Sequence, residues 1–181
     1  MQIIDPTEIN GTISSGESIV VFFVPAGQKR LHVPIVEADE NGNLSLVTIL
    51  VSGTKYLHRT TPGKHLYLLS TVGERSEMLE ANLEAEKTYY TYVSQYPDSP
   101  DTSSRLFYAF QFLPVPRVTD EQFTKDLALC RWFQNSETAK NWFERNHPNL
   151  QKRFIEAQTR HSEASSNKKI SLEYGTTIPV R

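Results

Sequence analysis

The sequence predicts a mainly β protein: an antiparallel β-sandwich of about seven or eight strands with a C-terminal α-helical appendage. Three observations lead there. Between Ile19 and Leu113 the apolar residues recur with a period of two, and turn signals interrupt them roughly every 8–14 residues. The spacings leave no room for the helical crossovers that a parallel α/β sheet needs. After Pro114-Val115-Pro116 the period becomes helical. The expected division is a sandwich domain over residues 1–116, a helical appendage packed on it over 117–165, and a tail over 166–181.

Each element has a local cause. Residues 18–24 form a continuous β-rich run that Pro25-Ala26-Gly27 stops. Residues 31–36 and 44–51 flank Asp39-Glu40-Asn41-Gly42, whose Asn-Gly step signals a type I′ hairpin. Ser52-Gly53 precedes a strand at 55–60, and Pro62-Gly63 turns the chain into another at 64–72. Runs at 78–83, 88–92 and 106–113 complete the set. In the helical part Thr119-Asp120-Glu121-Gln122 fits a capping box, with Phe123, Leu127 and Cys130 on one face behind it. Ser136 is a second N-cap, followed by Ala139, Trp142 and Phe143. His147-Pro148 is expected to interrupt the helix, because proline disfavours α geometry in the residue before it. Leu150, Phe154, Ala157 and His161 make a third stripe, and the Trp132-Phe133 and Trp142-Phe143 pairs are the expected anchors onto the sandwich. Residues 170–180 read as a tail able to form a short strand.

Composition narrows the function. At 181 residues and 20.7 kDa, the size scaling buries about 70% of the unfolded surface, enough for a real core. Nineteen Lys and Arg against twenty-one Asp and Glu give a net charge of −2 and a pI near 6.2. That balance argues against a nucleic-acid partner or an anionic membrane, since both need a strong cationic field. No run is long and apolar enough to span a bilayer. A single cysteine excludes an internal disulfide and a Cys-rich zinc site. The first residues read Met1-Gln2-Ile3-Ile4-Asp5-Pro6, with no signal-peptide pattern and no lipobox, so the sequence as it stands reads as cytoplasmic. No nucleophile elbow, metalloprotease helix, P-loop or dinucleotide fingerprint occurs, so no catalytic residue, cofactor or metal is assigned. Cys130 sits on an apolar helical face, and it reads as a core residue rather than a reactive thiolate.

Two constellations carry what chemistry there is. If Pro62-Gly63 is a two-residue hairpin loop, Thr60 opposes His65 and His58 opposes Tyr67. Tyr56, His58, His65 and Tyr67 then share one face, with the histidines diagonal neighbours. A two-histidine site needs a further ligand, for which Glu77, Glu80 and His32 are the candidates. The plainer reading is rings that cover a sheet face and hydrogen-bond locally. Tyr90 and Tyr92 share a second face, opposite Tyr89. Such tyrosines stack on sugars or form a protein interface, and more commonly simply pack.

The segments Ser52-Gly53-Thr54-Lys55, Pro62-Gly63-Lys64-His65 and Met78-Leu79-Glu80-Ala81-Asn82-Leu83-Glu84-Ala85-Glu86-Lys87-Thr88-Tyr89-Tyr90 carry a family resemblance. The chain resembles uncharacterised small bacterial proteins, many of them predicted lipoproteins, with a β-sandwich domain of unknown function and a Pro-Gly-x-His hairpin. The likeness runs from about Ser18 to Leu113. It continues into Asn141-Trp142-Phe143-Glu144-Arg145-Asn146 and Ser171-Leu172-Glu173. It departs in two places. Glu86 stands where the family usually has glycine, and the family's leader and lipid-attachment cysteine have no counterpart in this sequence. The resemblance implies a bacterial source, a sandwich fold, a turn shaped by Pro62 and Gly63, and the cell envelope as an alternative location. It carries no activity.

The preferred expectation is a non-enzymatic binding or scaffolding module with a protein partner. A small-ligand or carbohydrate binder using Tyr56, His58, His65, Tyr67, Tyr90 and Tyr92 is the alternative. A metal-dependent hydrolase, needing His58 and His65 to converge with a carboxylate, is a third.

Overall fold

The structure, a computed structural model, describes residues 2–3, 5, 13–27, 32–70, 76–97, 108–114, 121–163 and 170–172. The expected strands appear as β2 (Ser18–Val24), β3 (Val33–Ala38), β4 (Leu44–Leu50), β5 (Thr54–Thr60), β6 (Gly63–Leu69), β7 (Glu77–Leu83), β8 (Thr88–Pro97) and β9 (Tyr108–Pro114). Short strands β1 (Gln2–Ile3), β10 (Arg131–Gln134) and β11 (Ile170–Leu172) join them, with helices α1 (Glu121–Leu129) and α2 (Glu137–Glu163). The first sheet has the order β1-β10-β5-β2-β8-β9 and the second β11-β7-β6-β3-β4.

The chain changes sheet at regular intervals. From β2 in the first sheet it crosses to β3 and β4 in the second and returns for β5; it crosses again for β6 and β7 and returns for β8 and β9. Most neighbours are antiparallel, but β2 with β8, β5 with β10 and β7 with β11 are parallel. The β2–β8 pair needs no helical crossover because the second sheet itself is the crossover.

Three apolar clusters hold the layers together. Between the sheets lie Val20, Phe22, Ile35, Tyr67, Leu79, Tyr89, Phe112 and Phe133. On the outer face of the first sheet Ile19, Val21, Phe23 and Tyr90 lie under Phe123 of α1. On the outer face of the second, Val36, Ala38, Leu68 and Met78 lie under Phe143, Leu150, Phe154 and Ala157 of α2. Both faces of β2 are therefore covered, which is why its sequence is continuously apolar instead of alternating.

Several local expectations are corrected. The turn after Ala38 is not type I′. The Gly42 amide donates to the Asp39 carbonyl at 2.9 Å, Asn41 keeps a negative φ, and Gly42 takes φ 80°. This is a type I turn with a glycine bulge, and the Asp39 carboxylate accepts from the Asn41 and Asn43 amides at 2.9 and 2.8 Å. Pro62-Gly63 closes no hairpin either, because β5 and β6 lie in different sheets. Gly63 takes φ 130°, a conformation only glycine adopts readily, where the chain crosses from one layer to the other.

The Trp132-Phe133 pair lies on a strand, not a helix. Phe133 enters the interlayer core and Trp132 the cluster beneath α1, so alternation buries both. His147-Pro148 does not interrupt α2, which runs unbroken past Pro148. Phe143 and Leu150, two turns apart, grip the same sheet on either side of it, so tertiary packing outweighs the local cost. Ser136 stands at the start of α2 as expected, its carbonyl accepting from the Ala139 amide at 2.9 Å. Thr119 of the capping box and the tail beyond Leu172 lie outside the described residues.

Candidate functional site

Glu37 is the residue the sequence reading missed. It follows Ile35 on the inward face of β3 and is the register partner of Tyr67 on β6. His58 reaches it from the opposite sheet: Nε2 lies 3.2 Å from Glu37 Oε2. His65, two residues from Tyr67 on the same face, places Nδ1 2.5 Å from Oε1. One carboxylate thus bridges two histidines from two sheets. The histidines meet as the third hypothesis required, but across the layers rather than diagonally on a hairpin.

The hydrogen-bond partners determine the protonation of His65. Its Nε2 faces the Thr61 carbonyl at 2.8 Å, and a carbonyl only accepts, so Nε2 carries a proton. Its Nδ1 faces an ionised carboxylate and must donate as well. Both nitrogens are protonated, and the ring is an imidazolium. The hydrogen bond to Glu37 accordingly raises the His65 pKa against the opposing effect of burial. Burial by itself pushes the Glu37 carboxyl up, but the hydrogen bonds from His58 and His65 outweigh it and hold the group at about 2.

Aromatic rings wall the cluster in. Tyr67 stacks on His65 at 6.1 Å and meets His58 and Phe22 edge-on at 5.9 and 5.2 Å. Tyr67 is fully buried, and its hydroxyl has no hydrogen-bond partner among the described residues. Burial, and then the nearby Glu37 charge, drives its pKa far up, so it stays a phenol. The three candidate third ligands are elsewhere. Glu77 accepts from the Phe112 amide at 2.7 Å, Glu80 pairs with His161 at 2.7 Å, and His32 is exposed beside Ile49 and Trp142. Among the described residues no group of three His, Cys, Asp or Glu is placed to hold a metal ion.

The six expected site residues do not form one surface. Tyr56 is half-buried against Phe133 at 5.7 Å in the interlayer space that also holds His58, His65 and Tyr67. Tyr90 and Tyr92 lie on the far side of the first sheet. Tyr90 is covered by Phe123 at 5.3 Å, and Tyr92 packs on Phe23 at 5.6 Å. Cys130 is buried, its thiol donating to the Val24 carbonyl at 3.4 Å, and burial pushes its pKa up to about 11.

A cleft of about 460 Å³ opens beside α2 on the outer face of the second sheet. The 38–42 hairpin forms one wall, Phe154 and Gln158 the other, and Lys64, Leu66, Glu80, Ala81 and Asn82 line the rest. Gln151 ties the walls together by donating to the Gly42 carbonyl at 2.9 Å. Of the six expected residues only His65 borders it. The residues that line this cleft come from four elements, and no sequence spacing joins them.

No known protein-family model matches this chain, and no curated protein matches it either. Among the described residues, no helix is long and apolar enough to cross a membrane.

Proposed function

We propose that this protein is a non-enzymatic binding or scaffolding module that engages a partner protein at the cleft between the 38–42 hairpin, the second sheet and α2. The cleft is the observation that carries the reading. It encloses about 460 Å³, and its lining mixes charged groups with apolar ones.

The reactive groups elsewhere support a module without chemistry of its own. Both nitrogens of His65 are spent on Glu37 and Thr61. Cys130 is a buried thiol and Tyr67 a buried phenol, neither presented to a substrate. A carbohydrate platform has less support, because no tyrosine borders the cleft among the described residues. An envelope location rests on the family resemblance, and fractionation of the producing cells addresses it.

The test is a cleft-filling substitution, Gln158→Trp, on the exposed wall of α2. Partner recovered from producing cells with the natural chain and lost with Q158W, at unchanged thermal unfolding, supports the reading. Equal recovery with both chains removes it.

A further inference from the structure

We propose that the Thr61-Pro62 corner, where the chain passes from β5 to β6, is a proton-operated latch: the His65 imidazolium holds it against the sandwich, and loss of one ring proton releases it. The geometry builds the switch. His65 Nδ1 stands 2.5 Å from Glu37 Oε1, and Nε2 stands 2.8 Å from the Thr61 carbonyl. Both partners only accept, so the ring must donate twice, whereas a neutral imidazole has one N–H. The Nε2 bond also closes a loop around Pro62, Gly63 and Lys64, with Gly63 at φ 130° inside it.

The two acceptors decide which proton leaves. The charge-assisted bond to the half-buried Glu37 carboxylate is the stronger one. Nδ1 therefore keeps its proton and Nε2 gives its own up. The Nε2 lone pair then faces the Thr61 oxygen with no hydrogen between them. Turning the ring over would forfeit Glu37 and break the stack on Tyr67. Thr61 moves instead, because it and Pro62 are exposed and water can take the carbonyl. Gly63 and Lys64 stay in register with Leu83 and Asn82 of β7, so the motion ends at Gly63.

The surrounding charges leave His65 as the sensor. Glu37 faces it from β3, and His58 of β5 shares that carboxylate. On β6 itself Tyr67 stays a phenol, and Lys64 precedes the ring. The hairpin brings Asp39 and Glu40 to the same cleft and β7 brings Glu80, which pairs with His161 of α2. The hydrogen bond to Glu37 raises the ring's pKa above 6.5, burial opposes it, and the Thr61 bond adds to the rise. The latch is therefore closed below 6.5 and opens as pH climbs through the raised native value. It stands on the clamp alone and does not depend on what docks in the cleft.

Nuclear magnetic resonance of the labelled full-length chain, titrated upward from 6.5, is the test. His65 should begin with both nitrogens protonated and lose the proton at Nε2. With the same midpoint, order parameters of the Thr61 and Gly63 amides should fall from about 0.85 toward about 0.6, the change from rigid to flexible backbone. In His65→Gln those amides should no longer respond to pH. Loss of the proton from Nδ1 overturns the latch, as does a corner that stays rigid while His65 titrates. A corner that follows the midpoint of His58 or His161, or that still responds in H65Q, overturns it too. Should H65Q fail to fold, the ring nitrogens and corner amides of the natural chain still separate these outcomes.

Discussion

The Lys55 ammonium stands 4.5 Å from the centre of the Trp132 ring and donates to the Leu127 carbonyl at 2.9 Å. One side chain thereby fastens β5 to β10 and to the last turn of α1. Burial lowers the Lys55 pKa, so the ring and the helix-end carbonyl are what make the buried cation tolerable. Lys55→Met and Trp132→Leu, measured singly and together by urea unfolding, should show a coupling of about 1 kcal/mol. Simple additivity of the two would contradict the contact.

The Glu37 clamp makes stability depend on pH from both sides. Glu37 sits near 2 in the native state against an ordinary 4.5. As pH falls through that interval the unfolded chain takes up a proton that the native state refuses, and stability drops by roughly 2–3 kcal/mol. His65 behaves oppositely. Its native pKa is raised above 6.5, so its contribution is complete below that value and is lost as pH rises through the native one. The clamp is therefore strongest between 4.5 and 6.5. Urea midpoints measured across that span should fall away on both sides, and Glu37→Gln should flatten both slopes. Unchanged slopes in E37Q would remove the clamp from the account.

Glu86 is the only non-glycine residue with positive φ among those described, at 61°. Its amide donates to the Glu17 carbonyl at 2.7 Å, which holds the turn between β7 and β8 in that conformation. Left-handed backbone costs an L-residue about 1–2 kcal/mol, partly offset by the extra freedom glycine has when unfolded. Glu86→Gly should therefore gain about 0.5–1 kcal/mol, and Glu86→Val should lose stability. A destabilised E86G chain would show that the side chain, not the backbone, matters there.

Pro148 lies inside α2 and lacks the amide that a continuous helix uses at that position. Pro148→Ala restores the donor and removes the ring clash, so unfolding should shift upward by about 1–3 kcal/mol. The Phe143–His147 ring contact at 5.3 Å spans the same turn and should persist. A neutral or destabilised P148A would mean that the sheet demands the proline geometry.

Much of this architecture was legible from local pattern. A continuous apolar run located β2, and alternating runs between turn signals located β3 through β9, because each side chain's face follows from its place along a strand. Glu37 also left a signal: it is the one charge in Val33-Pro34-Ile35-Val36-Glu37-Ala38, at a core-facing position. Trp132-Phe133 left an ambiguous one, because two adjacent aromatics suit a buried strand as well as a helix stripe.

Local sequence determined where β2 through β9 lie and where the chain turns helical, though not the strand at Trp132-Phe133, because those properties depend on neighbours a few residues away. Tertiary structure alone decided which sheet each strand joined. It placed His58 and His65 on opposite walls around Glu37, and it kept α2 whole through Pro148. These outcomes depend on groups distant in the chain burying surface together, and no short-range spacing encodes that shared energy.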